Sequence, residues 1–270
     1  MTLKDKKIAP YVVLFLGFTF LYAPIISLVI YSFNESRLVT VWAGFSTKWY
    51  AELMNNDALL SAAWLSIKIA FITAWLSTCL GTSAALALVR SPNSKLRNSL
   101  DLMSAAPLVM PEIIIGLSLL LLFVAMENLL GWPEGRGQFT VILAHSVVCM
   151  AYVTVIVRSR LANMDRSIEE AAADLGARPI KVFFTITLPM ISPSLIAGWL
   201  LAFTLSMDDL VVASFTSGPG STTLPMVVYS SVRLGVSPQI NALASIIIGI
   251  VAFAVLVSAI WIYRAEKRKH

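Results

Sequence analysis

The stretch SIEEAAADLGARPIKVFFTITLP, residues 167–189, is where the architecture of this chain can first be worked out. It is polar and rich in small residues, lies between two long apolar runs, and has the signals of ordered structure. Ser167 followed three residues later by Glu170 is a capping-box arrangement and predicts a helix start. Ile168, Ala171, Ala172 and Leu175 keep the i, i+3, i+4, i+7 spacing and share one face. Gly176 can take the positive φ that ends a helix, and Pro179 suits the first turn of a second helix, PIKVFFTITL. Pro189 and Pro193 mark the start of the next apolar run. One apolar face suits either a helix lying on a membrane surface or a helix docked in a partner. The alanines favour docking, because small residues permit close approach whereas membrane-lying helices carry bulky Leu, Phe and Trp.

Outward from this segment the chain is apolar. Hydrophobic residues make up 58% of it, charged residues 13%, and the mean hydropathy is +0.81. Soluble domains carry about 25% charged residues, so most of this chain is built for lipid. Six apolar runs, 11–33, 61–89, 102–126, 139–157, 191–215 and 240–263, are long enough to cross ~30 Å of hydrocarbon as helices. The expectation is an all-α membrane protein with one transmembrane domain over residues 1–270 and a cytoplasmic segment at about 165–189. The first run follows Lys4, Lys6 and Lys7 but exceeds the roughly 7–15 residues of a signal-peptide core. No small-residue cleavage site follows it, so it reads as an uncleaved span.

Basic residues set the orientation. With the N-terminus inside, 15 of the 20 lie in inside segments, among them Arg90, Arg97, Arg158, Arg160, Arg166, Arg178, Lys181, Arg264, Arg268 and Lys269. Only Arg37, Lys48, Arg136 and Arg233 lie outside, and Lys68 falls near the outer end of the second run, where it can snorkel. This bias places both termini in the cytoplasm. It also removes the nucleic-acid reading that the net charge of +5 suggests, because the cations are dispersed between spans.

Chemistry by this chain itself is not expected. Cys79 and Cys149 lie in apolar runs, which excludes a disulfide framework and a zinc site. There is no GxxxxGK[ST], HExxH or GxSxG, so no catalytic residue, no metal and no cofactor of its own is assigned.

Three acids resist the membrane pattern. Glu112, Asp208 and Asp209 lie well inside apolar runs, where a carboxylate costs roughly 2.5–3.5 kcal/mol even on the lenient insertion scale. Counted from Ser194, Asp208 lies roughly 21 Å up the fifth run, in its outer half. Adjacent residues of a helix point about 100° apart, so both aspartates cannot face one lumen in an unbroken helix. One is expected to line a path and the other to pair with a neighbouring helix, backbone donors or a partner. Glu112 follows Pro107 and Pro111 near a kink, where it lines the path or bonds locally. His145 is expected to be a packing histidine bonded to a neighbouring helix, and Trp42, Trp49 and Tyr50 to be interfacial anchors. Trp199 and Tyr229 read as packing aromatics, Arg158 and Arg160 as snorkelling cations. SGPGSTTLP, residues 217–225, has turn chemistry and is expected to form an outside loop closing the path.

The string EAA-x3-G-x9-I-x-LP occurs here without a departure as Glu170, Ala171, Ala172, Gly176, Ile186, Leu188 and Pro189. It resembles the signature of permease subunits of ABC importers. The stretches APLVMPEIIIGLSLLLLF and LSMDDLVVASFTSGPGSTTLP resemble polyamine (putrescine/spermidine) importer permeases, most of all the second permease of putrescine importers. The resemblance implies the six-helix, MetI-like fold of type I importer permeases in the bacterial inner membrane. It implies that the helix opened by Ser167 docks on a separate ATPase, which holds the ATP and Mg. The implied partners are a second, different permease, two ATPase copies and a periplasmic substrate-binding protein, with surrounding lipid and no nucleic acid. The substrate implied is a polyamine, with opines and aminophosphonates as related alternatives. A path for a dication calls for carboxylates and aromatic faces, which Glu112, Asp208 and Asp209 would begin to supply. A secondary transporter with these acids as a proton relay is a rival, weakened by the lack of an internal repeat. A non-transporting scaffold leaves the acids and the EAA string without a purpose.

Overall fold

The computed structural model describes residues 5–38, 41–91, 94–234 and 237–267. Lys4, Arg268 and Lys269, which enter the orientation count, lie outside the described residues. The helices in chain order are α1 (Asp5–Tyr31), α2 (Lys48–Met54), α3 (Asp57–Arg90), α4 (Ser94–Val109), α5 (Glu112–Leu130) and α6 (Gln138–Ala162). They continue as α7 (Ser167–Asp174), α8 (Pro179–Val182), α9 (Leu188–Asp208), α10 (Val211–Thr216), α11 (Leu224–Leu234) and α12 (Pro238–Lys267). Among the described residues there is no strand, only an isolated bridge between Asn34 and Phe45. Among the described residues, five helical stretches are long and apolar enough to cross a membrane: Pro10–Tyr31, Asp57–Arg90, Glu112–Leu130, Gln138–Ala162 and Pro179–Asp208. Pro238–Phe253 of α12 is a further apolar helical stretch among the described residues.

The chain divides into two compact units, residues 1–60 with 228–270, and residues 61–227. In the first, α1 and α2 pack on α12. The turn after α1 is organised by buried Asn34, whose Oδ1 accepts the N–H groups of Ser36 and Ala43 and whose Nδ2 donates to Val41 O at 2.7 Å. Trp49 is buried and its Nε1–H donates to Asn34 O at 2.6 Å, while Tyr50 Oη bonds Ser32 Oγ. The expectation that Trp49 and Tyr50 are interfacial anchors is therefore corrected: their polar atoms are taken up inside the turn. Trp42 remains exposed, edge-on to Tyr31.

The second unit is organised around α6. Val153 of α6 is wedged between glycines, because a Cβ at Gly81 of α3 would lie 2.8 Å from Val153 and one at Gly198 of α9 would lie 3.3 Å from it. Small residues let helix backbones approach where lipid offers no hydrophobic drive for association. Weak polar ties reinforce the seam: Ser77 Oγ to Ser146 O at 3.3 Å, and Cys149 Sγ to Ala202 O at 3.6 Å. Arg158 pairs with Asp101 of α4, and Arg160 donates to Met190 O at 3.4 Å, so these cations, the first half-buried and the second exposed, also hold protein groups.

Two expected spans are broken. The run 102–126 stops at Val109 and resumes as α5 at Glu112, because Pro111 supplies no N–H and drives the residue before it out of the helical region. The run 191–215 stops at Asp208; Asp209 is extended (φ −66°, ψ 123°) and α10 begins at Val211. In the other direction the fifth span is longer than expected. PIKVFFTITL runs into it through a π-turn at Phe183–Thr187, in which Leu188 N–H reaches back to Phe183 O. The wider turn lies just where an α-helical Pro189 would strike the carbonyl of Thr185.

Candidate functional site

The break after α9 brings the intramembrane acids together. Asp208 is the last residue of α9, Asp209 follows in the extended link, and Glu112 opens α5. All three line one cavity of about 310 Å³, shared with His145, Val148, Cys149 and Tyr152 of α6 and with Leu205, Leu210 and Val211. The premise of an unbroken helix is overturned. Once the helix stops between them, neighbouring residues no longer have to diverge by about 100°, and both aspartates reach the same cavity.

The two carboxylates are nevertheless held differently. Asp209 is mostly buried, and its Oδ1 accepts the Ala213 N–H at 2.8 Å, capping α10 from outside its first turn. That cap is the physical reason for the break: a side chain competes with the helix for a backbone donor and wins. Asp208 and Glu112 are exposed. The cavity wall at Asp208 is the C-terminal end of a 21-residue helix, where unpaired carbonyls and the negative end of the dipole favour positive charge. α10 is seated against α5 because Gly116 leaves room for Phe215, whose ring would lie 2.6 Å from a Cβ there.

His145 is 2% exposed, with Nδ1 2.8 Å from Ser206 Oγ of α9. Its neighbour-bonded packing role is thus present, but its Nε2 also faces the acids, 3.4 Å from Asp209 Oδ1 and without a hydrogen-bond partner. A lone histidine in an apolar run gave no sequence signal for that placement. Among the described residues, no group of three or more His, Cys, Asp or Glu side chains is placed to hold a metal ion. Residues 217–223 form a turn with Gly220 at φ +73°, pinned by Ser221 Oγ to Gly218 N and O. Trp199 stacks on Phe203 and meets Phe71 and Trp75 edge-on, away from the acids, and Tyr229 takes the Arg233 guanidinium over its ring.

The EAA segment folds as a short exposed helix followed by a sharp reversal. The expected capping box is not formed. The N-cap position is Arg166, without a side-chain cap, and Asp165 accepts the Ser167 N–H at 2.9 Å. Asp165, two residues upstream, takes the Ser167 N–H that the Glu170 side chain would accept in a capping box, the Glu170 N–H goes to Arg166 O at 3.0 Å, and the Ser167 bonds hold the Asp165 carboxyl below its ordinary value. Gly176 has φ +81°, Ala177 N–H bonds Ala172 O at 3.0 Å and Gly176 N–H bonds Ala173 O at 2.8 Å, a complete Schellman closure. Pro179 sits in the first turn of α8. Glu170 and Ala171 are exposed and Ala172 partly so, with Leu175, Ile180 and Phe184 presenting bare apolar surface. Ile186 lies in the π-turn, and Leu188 and Pro189 open α9.

Sequence reasoning singled out Glu170 and missed its neighbour. Glu169 points back into the protein, pairing with Arg90 at the end of α3 and accepting from the buried Thr187 Oγ1 in the π-turn. Arg166 adds a bond to Val89 O at 2.9 Å. The available signal was a pair of opposite charges in two inside segments, Arg90 and Glu169.

The chain matches, over residues 77–269, the family described as "Binding-protein-dependent transport system inner membrane component". It is 60% identical over 258 residues to the putrescine transport system permease protein PotI of Escherichia coli (strain K12), covering 96% of this chain and 92% of that protein. It is 41% identical over 252 residues to the spermidine/putrescine transport system permease protein PotC of the same strain, covering 93% and 92%. Among solved structures it resembles a chain of a bacterial ABC transporter involved in import of the acidic polysaccharide alginate. There the TM-score is 0.73 at 17% identity, covering 97% of this chain and 98% of that one. A chain of the inward-facing MetNI methionine ABC transporter gives 0.58 at 16% identity, covering 77% and 95%. At those identities the likeness is one of fold. Matched over most of its length by one family and close in sequence to two of its permeases, the chain belongs to the inner membrane components of binding-protein-dependent transport systems, the permease subunits of ABC transporters.

Proposed function

We propose that this chain is the permease subunit of an ATP-driven importer that carries a polyamine, putrescine foremost, from the periplasm to the cytoplasm. The observation that carries the reading is the gathering of Glu112, Asp208 and Asp209 around one cavity at a broken span. A diamine crossing the bilayer must replace its hydration at each ammonium end, and carboxylates with helix-end carbonyls do so without closing around the ion. Among the described residues, no Lys or Arg lines the cavity, which favours a cation over a zwitterionic opine or aminophosphonate. The 60% identity to a putrescine permease supports the same substrate class.

The rest of the cycle belongs to partners. Both termini and the EAA segment lie in the cytoplasm in this reading, which the distribution of basic residues supports. α7, with Glu170 and Ala171 exposed, Ala172 partly so and Leu175 bare at its C-cap, docks on a separate ATPase that binds ATP and Mg, since this chain has no phosphate-binding loop. A second, different permease completes the path, two ATPase copies drive it, and a periplasmic binding protein delivers the substrate. The chain is one transmembrane domain in that assembly and binds no cofactor. The test is putrescine uptake by the complex reconstituted in vesicles, with D208N, D209N and E112Q each introduced, competed by spermidine and by an uncharged diamine analogue. Uptake should fall at least tenfold in one of the aspartate variants; wild-type uptake in all three would refute the path.

A further inference from the structure

The acids alone do not say which kind of cation the cavity takes, but His145 does. This side chain is 2% exposed, lines the cavity, and leaves Nε2 without a hydrogen-bond partner. A buried polar atom left unpaired is costly, and natural structures rarely retain one without a use. Its other nitrogen is occupied: Nδ1 lies 2.8 Å from Ser206 Oγ. We assign Nδ1–H as the donor to that hydroxyl, which leaves the lone pair of the neutral ring on Nε2. Nε2 stands 3.4 Å from Asp209 Oδ1, an oxygen already engaged by the Ala213 N–H. In that tautomer two acceptors face each other, and an N–H donor bridging both from the side relieves the contact.

We propose that the cavity receives a primary ammonium group and that His145 is a specificity-determining residue, its Nε2 accepting one of the three ammonium N–H bonds. Asp208, exposed on the cavity wall, and Asp209 take the other two. Two carboxylates would suffice for any cation of the right charge; a third, neutral acceptor discriminates by the number of N–H donors. A tertiary ammonium offers only one donor and leaves His145 unpaired as before. This rests on the polyamine reading above and adds to it the chemistry of the recognised end group.

The experiment measures uptake of putrescine and of N,N,N′,N′-tetramethylputrescine, whose two ends each keep a single N–H. It uses the reconstituted complex with wild-type, H145Q and H145L permease. The same receptor serves every arm, so its own preference cancels when ratios are compared between permeases. H145Q, which keeps an acceptor in this position, should retain putrescine uptake within about threefold. H145L should lose tenfold or more on putrescine and much less on the tetramethyl analogue, so that the preference for primary ammonium falls by a similar factor. Equal losses of both substrates in H145L would assign His145 to packing alone and overturn the proposal. An unchanged ratio with full uptake would overturn it as well. If wild-type complex carries no putrescine at all, it is the polyamine reading that fails.

Discussion

Substituting alanine at Gly81, Gly198 and Gly249 should give three different outcomes from one chemical change. In a helix interior, glycine to alanine gains about 1 kcal/mol of propensity. A new Cβ at Gly249 of α12 meets nothing within 4 Å, so G249A should be neutral or stabilising by up to that amount. At Gly198 the Cβ would sit 3.3 Å from Val153 Cγ1, a contact relieved by a shift of only a few tenths of an ångström, and the two effects should nearly cancel. At Gly81 it would sit 2.8 Å from Val153 Cβ and Cγ1 and 3.0 Å from the Met150 carbonyl. None of these is the end of a flexible side chain. Overpacking of that kind costs roughly 1–3 kcal/mol, and with rigid neighbours the upper half applies. G81A should then be destabilised by about 1–2 kcal/mol net, or about 2–8 °C at roughly 2–4 °C per kcal/mol. Thermal unfolding of each variant in the purified complex, followed by tryptophan fluorescence, gives the order directly. If G81A melts at or above G249A, the α3–α6 seam is not packed as described, and the placement of α9 against Val153 falls with it.

Other expectations concern the broken span and the coupling segment. D209A should lose the α10 cap, at about 1 kcal/mol, and speed amide exchange in Val211–Thr216 roughly fivefold; D209N keeps an acceptor for the Ala213 N–H and should leave exchange unchanged. E169Q and R90Q should change stability by under ~1 kcal/mol, because the pair is partly exposed, yet lower putrescine carried per ATP hydrolysed. The exchanged pair E169R/R90E should restore part of that ratio, and unchanged coupling in the single variants would remove Glu169 from the transmission route. Asp165 titrates below its ordinary 3.8 because Ser167 bonds its charged form. A depressed folded value means the contribution is complete above the unfolded value and is lost as pH falls through the folded one. Exchange at the start of α7 should therefore quicken below about pH 3.8 in the wild type and show no such step in D165N.

What the residues alone determined is whatever depends on composition and local spacing. Apolar helices of membrane length, five of them among the described residues, the positive φ at Gly176, the helical turn opened by Pro179 and the three misplaced acids are each local, and all are present in the folded chain. The breaks were only half legible. Two prolines announced the stop before Glu112, but nothing in LSMDDLVV announced one after Asp208, since every residue there tolerates a helix. That stop depends on a side chain choosing between two backbone donors, a choice decided by what surrounds it. Trp49 and Tyr50 show the same limit: an aromatic at an interface and one folded into a turn look alike until Asn34 and Ser32 are brought to them. Only the tertiary structure placed His145 beside the acids and turned Glu169 inward to Arg90 and Thr187. Those groups are separated in sequence by 61 residues for His145 and Ser206, and by 79 for Arg90 and Glu169. No local periodicity encodes such a meeting; it is fixed by how closely α3, α6 and α9 approach, through the glycines that admit Val153.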